Sequence, residues 1–166
     1  VWNLPVPRGF HDDDMASVLE GVVLPVVEAF RPDALVLQCG ADGVLEDPQS
    51  GMALSNAAHV RALRALRPLA PRLMLLGGGG YNPWSVGRLW TRLWGELIGE
   101  RAEGRLPPAA EAVLRGLTWE RRGGGRSVAP EPHWVATLED PWRGGPSTEG
   151  VAERVAALRA RLRAWA

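Results

Sequence analysis

The chain has 166 residues, of which 46% are hydrophobic, and its 19 basic and 19 acidic residues give a formal net charge of zero. A chain of this length buries on the order of 70% of its unfolded surface, so one globular domain, or most of one, is expected. The balanced charge argues against a general nucleic-acid-binding protein, because such proteins usually carry a basic excess. All the basic residues are arginine. Without lysine, this chain has neither a Schiff-base nucleophile nor the phosphate-binding lysine of a P-loop.

Three features of the sequence bear on where the protein works. The single cysteine, Cys39, cannot form an internal disulfide, no apolar run is long enough to cross a bilayer, and no secretory signal opens the sequence. We therefore expect a cytoplasmic protein. Because residues 1–7 read like the tail of a strand entering a loop, we also expect the start of the protein to lie upstream of Val1.

The first half of the chain predicts a helix followed by two strands with a helix between them. Residues 12–30 favour a helix with acidic residues in its first turn, which Pro25 should kink or divide. Short apolar runs at residues 34–38 and 73–76 predict buried strands, since their length and flanking breakers favour strand over helix. Between them, Ser55 is expected to cap the intervening helix.

The second half of the chain predicts three helices. Asn82 and Pro83 predict the start of a helix with a broad apolar stripe, whose spacing favours the protein core over a ligand pocket. The stripe consists of Trp84, Leu89, Trp90, Leu93, Trp94, Leu97 and Ile98. A short helix is expected over residues 107–117, a loop over residues 121–132 and a final amphipathic helix over residues 148–166.

Two chemically useful side chains directly follow the predicted strands: Asp42 follows the first and Tyr81 the second. In an open α/β sheet the loops beyond the carboxyl ends of the strands face the ligand crevice, so both side chains could reach one pocket. A lone aspartate in this position is more often a turn residue than a metal ligand, and the pattern alone leaves both roles open. The Tyr81 phenol could donate to a developing oxyanion or pack over the turn at residues 77–80. A phosphate-cradling loop is disfavoured, because the spaced glycines of a dinucleotide fingerprint are missing.

The other reactive residues form no recognisable pair. His11, His59 and His133 are isolated in the sequence, and His59 is expected to be structural or exposed because it lies in a predicted helix. Cys39 has no evident His or Asn partner that would mark it as a nucleophile, so a small buried residue is expected there.

Several short blocks together carry a family resemblance over residues 3–95. The blocks are Asn3-Leu-Pro-Val, Leu37-Gln-Cys-Gly-Ala-Asp42, Asp47-Pro48, Leu54-Ser55, Leu76-Gly-Gly-Gly-Gly-Tyr81-Asn, Val86-Gly-Arg88 and Trp90-Thr91. In order and separation they resemble the zinc-dependent histone deacetylase family, in particular the class I-like branch that includes bacterial acetoin-utilisation deacetylases.

The resemblance implies a fold and a domain organisation. The fold would be the arginase-deacetylase type of three-layer α/β fold with a mostly parallel sheet, present here as its C-terminal part. Residues 1–117 would be the C-terminal part of the catalytic domain. Residues 118–166 would be a loop and an amphipathic helix packed on it.

The resemblance also implies roles for individual residues. Asp42 would be a zinc ligand, and Tyr81 would stabilise the oxyanion that forms when zinc-activated water attacks an N-acetyl carbonyl. The glycines Gly78, Gly79 and Gly80 would form part of the pocket wall.

This sequence departs from the family pattern in two ways. Gln49 stands near the substrate tunnel where family members usually carry an apolar residue, which implies a more polar rim and a different preferred substrate. Family catalysis also needs an Asp-x-His pair that completes the zinc ligands and a His-His pair for acid-base roles, and neither pair occurs here. Since both pairs lie upstream of Asn3 in family order, we expect the chain to be the C-terminal half of a longer enzyme and inactive alone.

The expected reaction is hydrolysis of an acetyl amide, and the partner is an acetylated protein or a small acetylated amine. The sequence does not choose between acetyl-lysine, an acetylated polyamine and another small amine, and it predicts no specific nucleic-acid or membrane partner. A non-catalytic regulatory or scaffold domain is the alternative from a different class. The manganese-dependent ureohydrolase branch of the same fold is disfavoured, because its Asp and His metal clusters are not visible in the sequence.

Overall fold

A computed structural model of the chain describes residues 1–101, 103–120 and 129–165. The helices are α1 (Asp12–Val18), α2 (Leu24–Phe30), α3 (Asn56–Leu66), α4 (Pro83–Ile98), α5 (Pro108–Arg115), α6 (Pro132–Ala136) and α7 (Val151–Trp165), and the strands are β1 (Leu35–Gln38) and β2 (Leu73–Leu76). Most of the loop predicted over residues 121–132 lies outside the described residues, as does the last residue of the predicted final helix.

The long helix predicted at the start is present and contains one wide turn. A π-helical turn (Leu19–Val23) joins α1 to α2, and the N–H of Leu24 donates to the carbonyl of Leu19, five residues earlier. Pro25 is the second residue after this turn. Proline lacks an N–H and crowds the carbonyl four residues before it, so a widened turn accommodates it without dividing the helix.

The two predicted strands form a parallel pair in which Leu35 is opposite Leu73 and Gln38 is opposite Leu76. One face of this sheet packs on the core formed with α3 and α4. The other face is open, since Val36 is 62% exposed and Met74 is 58% exposed. The prediction of fully buried strands is therefore wrong for alternate residues, because the described helices cover only one face of the sheet.

Helix α4 packs against α3 through part of its apolar stripe. Trp84, Leu89 and Leu93 are buried, as predicted, whereas Trp94 is 62% exposed and Ile98 is 51% exposed. The assignment of the whole stripe to the core is therefore wrong. The stripe is wider than the surface that α3 and the sheet cover.

The region after α4 packs back onto the first hundred residues. Trp134 and Val135 of α6 form a buried cluster with Trp84 at the start of α4. In α7, Val151 and Val155 are buried in a cluster with residues of α1 and of the π-helical turn. The boundary at residue 117 stays a prediction. In the part of the chain that the structure describes, no helix has the length and apolar character of a membrane span.

Candidate active site

The loops that follow β1 and β2 are joined by backbone hydrogen bonds. The N–H of Cys39 donates to the carbonyl of Leu76 at 2.9 Å, and the N–H of Ala41 donates to the carbonyl of Gly79 at 2.7 Å. The parallel pairing thus continues past the strands. It brings the segment that carries Asp42 against the glycine run before Tyr81.

Asp42 lies on a 3₁₀ turn (Ala41–Gly43), and its half-buried carboxylate packs directly against glycine backbone. A Cβ atom added at Gly79 would lie 2.0 Å from Oδ2 of Asp42, and one added at Gly40 would lie 2.5 Å from Oδ1. A side chain at either position would therefore displace the carboxylate. No described residue donates a hydrogen bond to this carboxylate through its side chain or backbone.

The other predicted wall glycines pack closely as well. A Cβ at Gly78 would lie 2.8 Å from Cα of Gly40, so the two loops approach backbone to backbone. Gly80 has a φ of +152°, and a Cβ there would lie 2.5 Å from the side chain of Val86. The glycine run is thus shaped by contact with the loop of Asp42 on one side and with α4 on the other.

Tyr81 ends the glycine run and is 48% exposed. Its N–H donates to Oδ2 of Asp47 at 2.5 Å. The structure therefore places Asp42 and Tyr81 on adjoining loops at one edge of the sheet, which is the arrangement the sequence predicts. Their chemical roles stay predictions.

The sequence interpretation missed the importance of Asp47, which is 4% exposed. Besides Tyr81, it accepts hydrogen bonds from the N–H of Asn82 at 3.2 Å and from the N–H of Gln49 at 2.9 Å. One sequence feature could have identified Asp47, because Asp47 and Pro48 belong to the blocks that carry the family resemblance. The local sequence, however, indicates only an ordinary turn. Gln49 itself is exposed on this turn, and its predicted place near a substrate tunnel stays a prediction.

Two further side chains hold the loops at this edge. Asn82 is fully buried, donates from Nδ2 to the carbonyl of Glu46 at 3.0 Å, and accepts at Oδ1 from the N–H of Trp84, which caps α4. The indole N–H of Trp90 donates to the carbonyl of Cys39 at 3.0 Å. Burial raises the pKa of the Cys39 thiol to about 11, so this thiol is protonated at neutral pH and is a poor nucleophile.

His59 lies behind the turn of Asp42 in a half-buried position on α3. Its Nδ1 is 3.4 Å from the carbonyl of Ser55. Burial lowers the pKa of His59, and this outweighs the opposing effects of backbone hydrogen bonds at Ser55 and Gly40 and of the carboxylates of Asp12 and Asp42. The ring is therefore neutral at physiological pH and packs as a structural residue, one of the two outcomes expected from the sequence.

Among the residues that the structure describes, the donor set for a metal ion is incomplete. Among the described residues, no group of three or more His, Cys, Asp or Glu side chains could hold a metal ion. Catalytic zinc sites have three protein ligands, and a carboxylate oxygen is an accepted one. Asp42 can supply one such ligand, since its half-buried carboxylate receives no hydrogen bond from the described residues.

The architecture, with its candidate site beyond the carboxyl ends of parallel strands, is the arginase-deacetylase type of α/β fold. The structure of an HDAC homolog complexed with SAHA superposes with a TM-score of 0.79 at 32% identity, covering 95% of this chain and 41% of that chain. An HDAC homolog from Aquifex aeolicus superposes equally well, with a TM-score of 0.79, at 34% identity over 95% of this chain and 41% of that chain.

Sequence comparison gives the family. The histone deacetylase domain model matches residues 1–97, more than half of the chain, so the chain belongs to the histone deacetylase family. It is 39% identical over 105 residues to putative histone deacetylase 2 of Caenorhabditis elegans and 37% identical over 105 residues to histone deacetylase 3 of Oryza sativa subsp. japonica. Each alignment covers 63% of this chain but only 21% of the relative, so the chain spans about a fifth of the length of these proteins.

The family and fold predicted from the sequence are thus confirmed. The narrower assignment to a bacterial acetoin-utilisation branch stays a prediction.

Proposed function

We propose that the chain is part of a zinc-dependent deacetylase that hydrolyses the acetyl amide of acetyl-lysine or of a similar acetylated amine. One observation carries the proposal. In a chain whose residues 1–97 match the histone deacetylase domain, the loops bearing Asp42 and Tyr81 are joined at one sheet edge. A carboxylate and a phenol brought together in this way supply the metal ligand and the oxyanion donor that amide hydrolysis needs.

Asp42 would hold the metal ion. Its carboxylate lies against the backbone of Gly40 and Gly79, where there is no side chain to block a bound ion. Zinc, when bound, would supply Lewis-acid activation of water and of the acetyl carbonyl. The part played by this chain is to present one carboxylate in a fixed position.

Tyr81 would bind the carbonyl oxygen. Its phenolic O–H is a hydrogen-bond donor, and the side chain is 48% exposed, so it is accessible to a substrate. Donation to the oxygen strengthens as negative charge develops there, which lowers the barrier to attack on the carbonyl.

The other metal ligands and the general base would come from polypeptide outside this chain. The described residues include no group of three metal ligands; of their histidines, His59 is packed behind the Asp42 turn and His11 contacts the carbonyl of Pro146 at 2.9 Å. The open face of the sheet, with Val36 and Met74 exposed, leaves space for further polypeptide of the catalytic domain. We therefore propose that the chain alone is inactive.

The decisive experiment compares this 166-residue chain with a version extended upstream in its natural reading frame. We would measure zinc content and hydrolysis of a fluorogenic acetyl-lysine substrate, with inhibition by SAHA as a check, because a related HDAC homolog has been crystallised with SAHA. The extended protein is expected to bind one zinc ion and to turn over. Asp42→Ala in that protein should lose zinc, whereas Asp33→Ala, on an exposed loop residue, should retain it.

A non-catalytic regulatory or scaffold role is the second candidate, and the incomplete donor set among the described residues favours it. An extended protein that folds but binds no zinc and hydrolyses no acetyl-lysine would establish this role instead. The cytoplasmic location and the absence of specific nucleic-acid and membrane partners remain proposals from composition.

A further inference from the structure

We propose that Asp47 is a positioning residue for Tyr81, because its buried carboxylate fixes the peptide that carries the tyrosine. The effect on catalysis rests on the proposed function, since it requires Tyr81 to bind the substrate carbonyl. The structural effect on the Tyr81 backbone does not depend on that function, so the two can be tested separately.

Among the described residues, each hydrogen bond to the Asp47 carboxylate comes from a backbone N–H. Oδ2 accepts from the N–H of Tyr81 at 2.5 Å and from the N–H of Asn82 at 3.2 Å, and Oδ1 accepts from the N–H of Gln49 at 2.9 Å. Hydrogen bonds to a charged carboxylate are about twice as strong as neutral ones. Because Asp47 is 4% exposed and faces these donors, it holds the loop and does not touch a substrate.

The glycines before Tyr81 explain why its backbone needs hydrogen bonds to Asp47, which we call the Asp47 clamp. Four glycines precede Tyr81, and the last of them, Gly80, has a φ of +152°. Glycine has the largest conformational freedom of any residue, so this stretch by itself does not fix the direction of the next side chain. The phenol is 48% exposed, and so its orientation depends on the backbone more than on surrounding packing.

The clamp also links the two functional residues of the proposed site. Asp47 and Asp42 belong to the same loop after β1, and Tyr81 belongs to the loop after β2. On the far side of Tyr81, Asn82 binds the carbonyl of Glu46 and caps α4. The metal-ligand loop therefore holds the tyrosine peptide at one point and the start of α4 at the next.

The structural test uses the fact that Tyr81 is the only tyrosine in the chain. Labelling the 166-residue chain with ¹⁵N-tyrosine therefore gives a single amide signal, whose hydrogen exchange can be followed. Asp47→Asn keeps the size of the side chain but replaces one accepting oxygen with a donor. We expect the Tyr81 amide to exchange about 10-fold to 100-fold faster, as for loss of a charge-assisted hydrogen bond.

Two further variants control this test. Asp33→Asn changes an exposed aspartate whose side chain lies outside this loop pair, and it should leave the exchange of Tyr81 unchanged. Asp47→Glu retains the carboxylate and should restore part of the protection, which separates the charge from general loop damage. Unchanged exchange at Tyr81 in folded Asp47→Asn would overturn the proposal.

The catalytic test uses the upstream-extended enzyme. Asp47→Asn should lower kcat about tenfold while KM and zinc content stay close to wild type, because the metal site is intact and only the donor is misplaced. In a Tyr81→Phe background the same substitution should have no further effect on kcat. An equal loss in both backgrounds would show that Asp47 does not act through Tyr81. If the extended protein has no deacetylase activity at all, the proposed function fails, while the exchange experiment still decides whether Asp47 holds Tyr81.

Discussion

Two aspartates of the molecule, Asp42 and Asp12, have opposite hydrogen-bonding environments. Asp42, after β1, receives no hydrogen bond from the described residues and packs against bare glycine backbone. At the start of α1, Asp12 is fully buried and accepts from the N–H and hydroxyl of Ser55 at 2.8 and 2.6 Å and from the N–H of Arg143 at 2.6 Å. A buried carboxylate that accepts three hydrogen bonds from the protein is structural, whereas one that accepts none from the described residues can still accept them from a ligand.

The acidic residues that follow Asp12 have the same structural character. Asp13 accepts from the indole N–H of Trp142 and from the N–H of Gly145, and Asp14 accepts from the N–H and hydroxyl of Thr148. We call residues 12–14 together with residues 142–148 the acidic clasp. The clasp attaches the segment before α7 to the start of α1.

The largest expected effect is a difference between Asp12 and Asp42 in how much their replacement lowers the free energy of unfolding. Asp12→Ala removes a buried carboxylate and leaves the N–H and hydroxyl of Ser55 and the N–H of Arg143 without their acceptor, so we expect a loss of about 3 kcal/mol or more in the free energy of unfolding. Asp42→Ala should change it by about 0.5 kcal/mol or less. Urea unfolding followed by tryptophan fluorescence measures both, and equal losses would remove the distinction.

The second effect concerns activity in the upstream-extended enzyme. Tyr81→Phe removes only the phenolic oxygen, so turnover should fall by about 10²-fold or more, as for loss of an oxyanion donor, while zinc stays bound. Because the side chain is 48% exposed, the free energy of unfolding should barely change. Unchanged turnover would defeat the assignment of Tyr81, and loss of zinc in this variant would point to a structural role instead.

The parts of the molecule that local signals determine could be predicted from the sequence. Ser55 is the N-cap of α3, as predicted, α4 begins at Pro83 where the sequence predicts a helix start, and both strands lie within one residue of their predicted bounds. Caps, proline positions and short apolar runs act over a few residues, so a sequence pattern is enough to find them. The family was predicted in a different way, because the order of the blocks around Asp42 and Tyr81 resembles that of known family members and is not a local physical signal.

The contacts that join distant segments could not be predicted in this way. The acidic residues of α1 read as ordinary favourable charges at a helix N-terminus, but their partners lie about 130 residues later in the chain. The exposure of Trp94 depends on what covers the far side of α4, which no periodicity in α4 itself encodes. Asp47 was missed for the same reason, because its partner Tyr81 is 34 residues away.

The third prediction tests whether glycine packing holds Asp42. Gly79→Ala places a Cβ 2.0 Å from Oδ2 of Asp42, so the carboxylate or the loop must move. We expect a loss of about 1–3 kcal/mol in the free energy of unfolding and weaker zinc binding by the extended enzyme. Gly51→Ala is the matched control, since a Cβ there meets nothing within 4 Å.

A double variant shows whether the damage acts through the carboxylate. Combining Gly79→Ala with Asp42→Ala should recover part of the lost stability, because the shortened side chain no longer meets the new Cβ. If the two losses simply add, the strain lies in the backbone of the glycine run and the packing account of Asp42 is wrong.

The smallest expected effect is a pH dependence that belongs to the acidic clasp. Burial works against ionisation of Asp14, but hydrogen bonds from Thr148 and from the His11 backbone, together with the nearby His11 side chain, favour the carboxylate and lower its pKa from the ordinary value of 3.8. A group whose pKa is lower in the folded state stabilises the protein above its unfolded value, and this contribution is lost as the pH falls through the folded value. The free energy of unfolding should therefore decline as the pH drops below about 4.

Thr148→Val removes one donor to Asp14, so this decline should become shallower. Thr118→Val, on an exposed threonine outside the clasp, should leave the decline unchanged. An identical decline in wild type and Thr148→Val would mean that the clasp does not hold Asp14 in its charged form.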